Sequence, residues 1–74
     1  MPHNPRVTVA EEGRTLLLDG HEVARKAYPV WSFFPTGPVA KLERLAIWDC
    51  IQFAPIRCDA EQLAASIEAA LVGL

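Results

Sequence analysis

The chain is poor in the residues from which catalytic and metal centres are built. Its 74 residues include two cysteines, two histidines, two serines, one tyrosine and one methionine. Cys50 and Cys58 lie eight positions apart with no CxxC, so they are expected as free thiols in a reducing compartment rather than as a disulfide framework. His3, His21, Cys50 and Cys58 are zinc-ligand types, but structural zinc sites bring their ligands in short-spaced pairs and these do not. A hydrolase triad would have to draw on Ser32, Ser66, His3 and His21, none of them in a strained strand-to-helix elbow. Thr36-Gly37-Pro38 lacks the repeated glycine and the lysine of a phosphate-cradling loop. No catalytic residue, no metal and no cofactor is therefore expected, and the chain reads as a non-enzyme. A thiol- or metal-dependent activity at Cys50 and Cys58 is the weakest of the alternatives.

An excess of positive charge is also missing. Seven basic residues face nine acidic ones, balanced before Gly37 and net −2 after it. Duplex nucleic acid is held chiefly by neutralised phosphates, so this balance disfavours a nucleic-acid partner. Long apolar runs are lacking too: nothing approaches the roughly 18 residues of a membrane span, and residues 1–6 are polar and proline-rich rather than a secretory leader. The expectation is a soluble, cytoplasmic protein that does not enter membranes.

What the chain does have is apolar content, 51% of residues, with six prolines and six aromatics. That is the composition of a folding chain and not of a disordered tail. A single small domain over residues 1–74 is expected, with 1–5 as a flexible tail. So short a domain buries only about 60% of the surface its unfolded chain exposes, so apolar groups should be left over for a partner.

The order of patterns is strands first, helices second, which predicts an α+β fold: an N-terminal antiparallel meander of three to four strands, residues 6–34, packed against two C-terminal helices. Val7 and Val9 alternate before Glu12-Gly13, and Asp19-Gly20 suits a two-residue type I′ turn because both residues tolerate positive φ. Two-residue loops at both places set Val9 opposite Leu16, Val7 opposite Leu18, Leu16 opposite Val23 and Leu18 opposite His21. Glu11 then faces Arg14 as an ion pair. In the segment from Tyr28 to Phe34, Pro29 removes a ladder donor and so confines the stretch to a sheet edge, a bulge or an extended segment outside the sheet; as an edge strand it would be open to a partner strand or to a second copy.

Helix one is expected over residues 38–53, with Thr36 or Gly37 as cap and Pro38 in the first turn. At 100° per residue its core arc is Val39, Leu42, Ala46, Cys50 and Phe53, with Ile47 and Ile51 at one margin and Leu45 at the other. Lys41, Arg44, Trp48 and Gln52 take the opposite side. Helix two is expected over residues 59–73, with Asp59 and Gln62 as a capping box and Cys58 and Leu63 as a hydrophobic staple. Its stripe is Leu63, Ala64, Ile67, Ala70, Leu71 and Leu74, with Gly73 ending it.

Two readings compete for the surplus aromatics. Phe33 and Phe34 are expected in the core, whereas Tyr28, Trp31 and Trp48, with Lys41, Arg44 and Gln52, are the candidate partner-binding residues, since aromatics and cations dominate interface hot spots. The function this favours is a small protein-interaction module, a regulator or inhibitor of a larger assembly, with a protein partner or a homo-oligomer. The alternative is an accessory protein of single-stranded nucleic acid, using Arg25, Lys26, Tyr28 and Trp31 as a stacking platform, or one whose acidic half mimics a nucleic acid.

Overall fold

Alternation of apolar and polar residues through the first half builds one four-stranded antiparallel sheet, whose helix-side face is covered by two helices. The structure, a computed structural model, describes residues 5–27, 30–52, 54 and 58–74. The strands are β1 (Val7–Ala10), β2 (Thr15–Leu18), β3 (His21–Ala27) and β4 (Val30–Phe33), in the order β1-β2-β3-β4. The helices α1 (Lys41–Gln52) and α2 (Ala60–Val72) follow. The fold is thus the expected α+β meander with two C-terminal helices. The expected tail residues 1–4, and Tyr28, Pro29, Phe53 and Arg57, lie outside the described residues.

The first hairpin keeps the expected register, with Val7 opposite Leu18 and Val9 opposite Leu16. Its connection differs from a two-residue turn: Glu11, Glu12 and Gly13 all take positive φ, at 57, 56 and 87°. Arg14 N–H closes this left-handed turn by donating to the Glu11 carbonyl at 3.1 Å. The expected Glu11–Arg14 ion pair does not form, because the turn that would have set the two side chains abreast is replaced by this one. At the second hairpin Asp19 and Gly20, at φ 51 and 87°, form the expected turn, and Leu18 faces His21.

The expected Leu16–Val23 pair is corrected by a β-bulge. Leu16 lies opposite Ala24 and Leu17 opposite Glu22, which leaves Val23 as the extra residue. A bulge turns two consecutive side chains to one side, and Val23 and Ala24 are both buried. β4 is a sheet edge, in keeping with the reading of Pro29.

The core joins Val7, Leu16, Leu18, Val23, Ala24 and Trp31 of the sheet to Ile47 and Ile51 of α1 and to Ala60, Leu63, Ala64, Ile67 and Leu71 of α2. α2 lies on β1 and β2, α1 lies on β4, and the helices touch each other. Phe33 packs against this core, but Phe34 is exposed, a correction to its expected burial that follows from strand alternation beyond Phe33.

α1 starts at Lys41 and not at Pro38. Thr36 commits its N–H and its hydroxyl to the Glu22 carbonyl, at 2.8 and 2.9 Å, so the chain runs on beside β3 before it coils. Gly37 approaches the His21 ring so closely that an added Cβ would lie 2.6 Å from its Cγ. α2 is capped by Asp59, whose carboxylate accepts from Glu61 N–H at 3.2 Å, while Gln62 returns no bond to the cap. It ends at Gly73, and Leu74, expected on the stripe, is exposed just past that end.

Candidate functional site

Among the described residues, the outward side of α1 gathers most of the large exposed apolar side chains of the second half of the chain. Leu42 is 66%, Leu45 52% and Trp48 45% exposed. Lys41, Arg44 and Gln52 share this side and are exposed, so four of the expected partner-binding residues, Lys41, Arg44, Trp48 and Gln52, stand together. Gln52 Nε2 donates to Asp49 Oδ1 at 3.2 Å along the same helix. Lys41 and Arg44 have no ion pair or side-chain hydrogen bond among the described residues.

Leu42 and Leu45 are the members that the sequence reading placed elsewhere. The buried arc of α1 centres on Ile47 and Ile51, which were expected at its margin. Glu43, one turn before Ile47 and beside the buried arc, accepts from Arg6 Nη1 at 2.6 Å. With Ile47 and Ile51 turned inward, Leu42 and Leu45 fall on the outward side. The spacing of four between Glu43, Ile47 and Ile51 carried that signal.

Arg6 is the junction that holds this arrangement. Its Nε and Nη2 donate to Asp19 Oδ1 and Oδ2 at 3.1 and 2.9 Å, in the bidentate manner of a guanidinium on a carboxylate. On the other side the backbone N–H groups of Arg6 and Val7 donate to the two Glu68 oxygens at 3.0 Å each, tying α2 to the start of β1. Arg6 draws the Asp19 carboxyl below its ordinary range through that hydrogen bond, and the two carboxylates raise the Arg6 guanidinium further. These contacts tie α1 and α2 to the start of β1.

The described members of the alternative platform, Arg25, Lys26 and Trp31, do not form one exposed face. Arg25 and Lys26 point to opposite faces of β3, as neighbours in a strand must. Arg25 pairs with Glu22 at 2.9 Å. Lys26 lies opposite Trp31 with its Nζ 5.5 Å from the ring centroid, a cation–π contact within the molecule. Trp31 is only 3% exposed, so it is a core residue and not the surface contact expected of it. Its indole N–H has no acceptor among the described residues. Tyr28, a member of both expected sets, lies outside the described residues. On the outer face of β3 and β4, Arg25, Ser32 and Phe34 line an open basin of about 330 Å³.

The described groups that could do chemistry lie on different elements. Ser32 lies on β4 and Ser66 on the exposed side of α2, while His21 packs against Gly37. Cys50 and Cys58 are free thiols. Burial, with Asp49 nearby, pushes the Cys50 thiol up, which opposes a thiolate. Among the described residues no group of three or more His, Cys, Asp and Glu is placed to hold a metal ion, and no helix is long and apolar enough to cross a membrane.

No protein-family model, curated protein or solved structure matches this chain.

Proposed function

We propose that this chain is a small non-catalytic protein-interaction module, a regulator or inhibitor of a larger assembly, that engages a protein through the outward side of α1. The observation that carries the reading is the half-exposed Trp48 set between Leu42 and Leu45 and bordered by Lys41 and Arg44. A domain of this size gains stability from each large side chain it covers, and leaving three of them in water on one helix disfavours the isolated molecule. Tryptophan and arginine are the residue types that most often supply binding energy at protein interfaces.

The test is affinity capture from the source cell with the wild-type chain beside Trp48→Ala and Leu45→Asp, followed by calorimetry on the captured protein. Loss of a hot-spot tryptophan should weaken binding by about 2 kcal/mol or more, roughly thirtyfold. Both side chains are outside the core, so thermal unfolding of the variants should match wild type. Capture that ignores both substitutions removes α1 as the binding surface.

A further inference from the structure

We infer that the groove between β1 and α2 takes an extended, basic segment of another polypeptide, which adds to the sheet as one more strand beside β1. The groove lies at the β1 edge, while α1 packs on β4 at the other, so neither surface depends on the other.

The main chain of β1 supplies the first support. Asp19 N–H donates to the Arg6 carbonyl at 2.9 Å, and bonded pairs recur at every second position of an antiparallel ladder, so Thr8 and Ala10 turn their N–H and C=O groups toward β2. Val7 and Val9 turn theirs the other way. Val7 N–H is taken by Glu68 at 3.0 Å. The Val7 carbonyl and both main-chain groups of Val9 then face the open edge, and a second extended main chain offers the matching donor and acceptors.

The groove beside that edge has room for such a chain. It holds about 390 Å³ and is lined by Val7, Val9, Ala64 and Ala65 and by the acids Glu61 and Glu68. α2 runs antiparallel to β1: Glu68 holds the start of the strand, and a Cβ added to Gly13, past its end, would lie 3.9 Å from Ala60 Cβ. Ala64 and Ala65 present only methyl groups where larger side chains would fill the space. Val7 and Val9 turn to the helix side of the sheet, so an added strand would set its own alternate side chains against α2.

Charge decides the kind of strand. The two segments that wall the groove, residues 7–13 and 58–74, hold Glu11, Glu12, Asp59, Glu61 and Glu68 and no lysine, arginine or histidine. Arg6, the cation just before β1, is spent on Asp19 and Glu43, and Arg14 follows only after the turn. A segment that alternates cationic and small apolar residues suits both the acidic walls and the apolar lining, whereas an acidic segment or a nucleic acid is repelled.

The test titrates the 74-residue chain, labelled for amide NMR, with an end-blocked peptide of about seven residues that alternates lysine and valine. The peptide should bind with a dissociation constant on the order of 100 µM and slow exchange of the Val9 amide at least about tenfold, while Thr8, already bonded to β2, changes less. A counterpart of glutamate and valine should bind at least about tenfold more weakly, and added salt should weaken the lysine peptide. Ala65→Phe fills the groove from an exposed position, so it should weaken binding at least about tenfold with thermal unfolding unchanged. Two peptides that bind alike, a lysine peptide whose shifts fall on β4 or α1 instead of Val9, or binding that ignores Ala65→Phe would overturn the groove, as would a wild-type chain that shows no shifts up to about 1 mM peptide. Capture through α1 that depends on Trp48 is untouched by those outcomes.

Discussion

α1 and α2 are nearly equal in length, 12 and 13 residues, yet α2 buries five residues and α1 only Ile47 and Ile51. α2 spreads its buried set over one stripe that includes Ala60 and Ala64, and Val72 in its last turn is its one large apolar residue left exposed. α1 carries leucine and tryptophan at positions that point away. The difference shows that apolar content alone does not decide what is buried. α1 turns Ile47 and Ile51 to the core with Glu43 paired to Arg6 beside them, and leaves the large residues of its other side exposed.

The widest gap between the helices should appear on truncation. Ile67→Ala removes a fully enclosed side chain of α2 and should cost about 2–5 kcal/mol, against less than about 0.5 kcal/mol for Leu45→Ala on the open side of α1. A domain of this length holds only roughly 5 kcal/mol in all, so the first variant should approach loss of its cooperative urea transition while the second retains it. Equal losses would mean that Leu45 is covered in the folded monomer.

The polar tethers should differ in the same direction by a smaller amount. Glu68 on α2 receives two backbone N–H groups of β1, and Glu68→Ala strips both of that acceptor, for about 1–3 kcal/mol. Glu43 on α1 meets a guanidinium that is more than a third exposed, and Glu43→Ala should cost at most about 1 kcal/mol. Amide exchange at Arg6 and Val7 separates the two: it should accelerate in the first variant and hold in the second.

Helix starts give the next smaller effect. α2 has Asp59 as its cap, whereas the residue before α1 is Ala40, whose carbonyl accepts from Arg44 N–H at 2.8 Å but whose methyl group caps nothing. Asp59→Ala should lose about 1 kcal/mol, and Ala40→Asp should gain a comparable amount, since it supplies both a cap and a charge of the sign that the dipole favours. Thermal unfolding of the two variants measures both changes. No gain from Ala40→Asp would mean that the start of α1 is already satisfied elsewhere.

Much of this architecture is legible before any coordinates. Asp19-Gly20, the valine alternation of β1, Pro29 and Asp59 act through neighbours only a few positions away, so local chemistry names the meander, one edge strand and the second helix. The bulge at Val23, the left-handed Glu11–Gly13 turn and the late start of α1 arise from contacts that no local pattern contains. Arg6 with Glu43 spans 37 positions, and Leu42 and Leu45, expected in or beside the core arc, are surface. The candidate site was accordingly half legible. Lys41, Arg44, Trp48 and Gln52 fell together on helical spacing, while Trp31 passed to the core because Lys26 and the α1–β4 packing enclose it.

The smallest expected effect is a pH dependence at the Arg6 junction. Asp19 is held below its ordinary value of 3.8 by its hydrogen bonds to Arg6, with the charge of Arg6 and of His21 adding to the shift. A carboxyl whose native value is depressed releases its proton more readily folded than unfolded, so its contribution is fully present above the ordinary value and is lost as pH falls through the lower native one. Both partners are more than a third exposed, so the contribution is at most about 1 kcal/mol. Wild type should therefore exceed Asp19→Asn in urea stability at pH 6 and converge with it as pH falls below the ordinary value of 3.8. Arg6 keeps its bond to Glu43 when Asp19 is neutral, so the loosening should be confined to the β2–β3 turn: its amides should exchange faster in acid, and those of α1 should respond less. Acid exchange that speeds α1 as much as the turn would show that Asp19 supports the orientation of α1 through Arg6, joining the turn and the open helix in one unit.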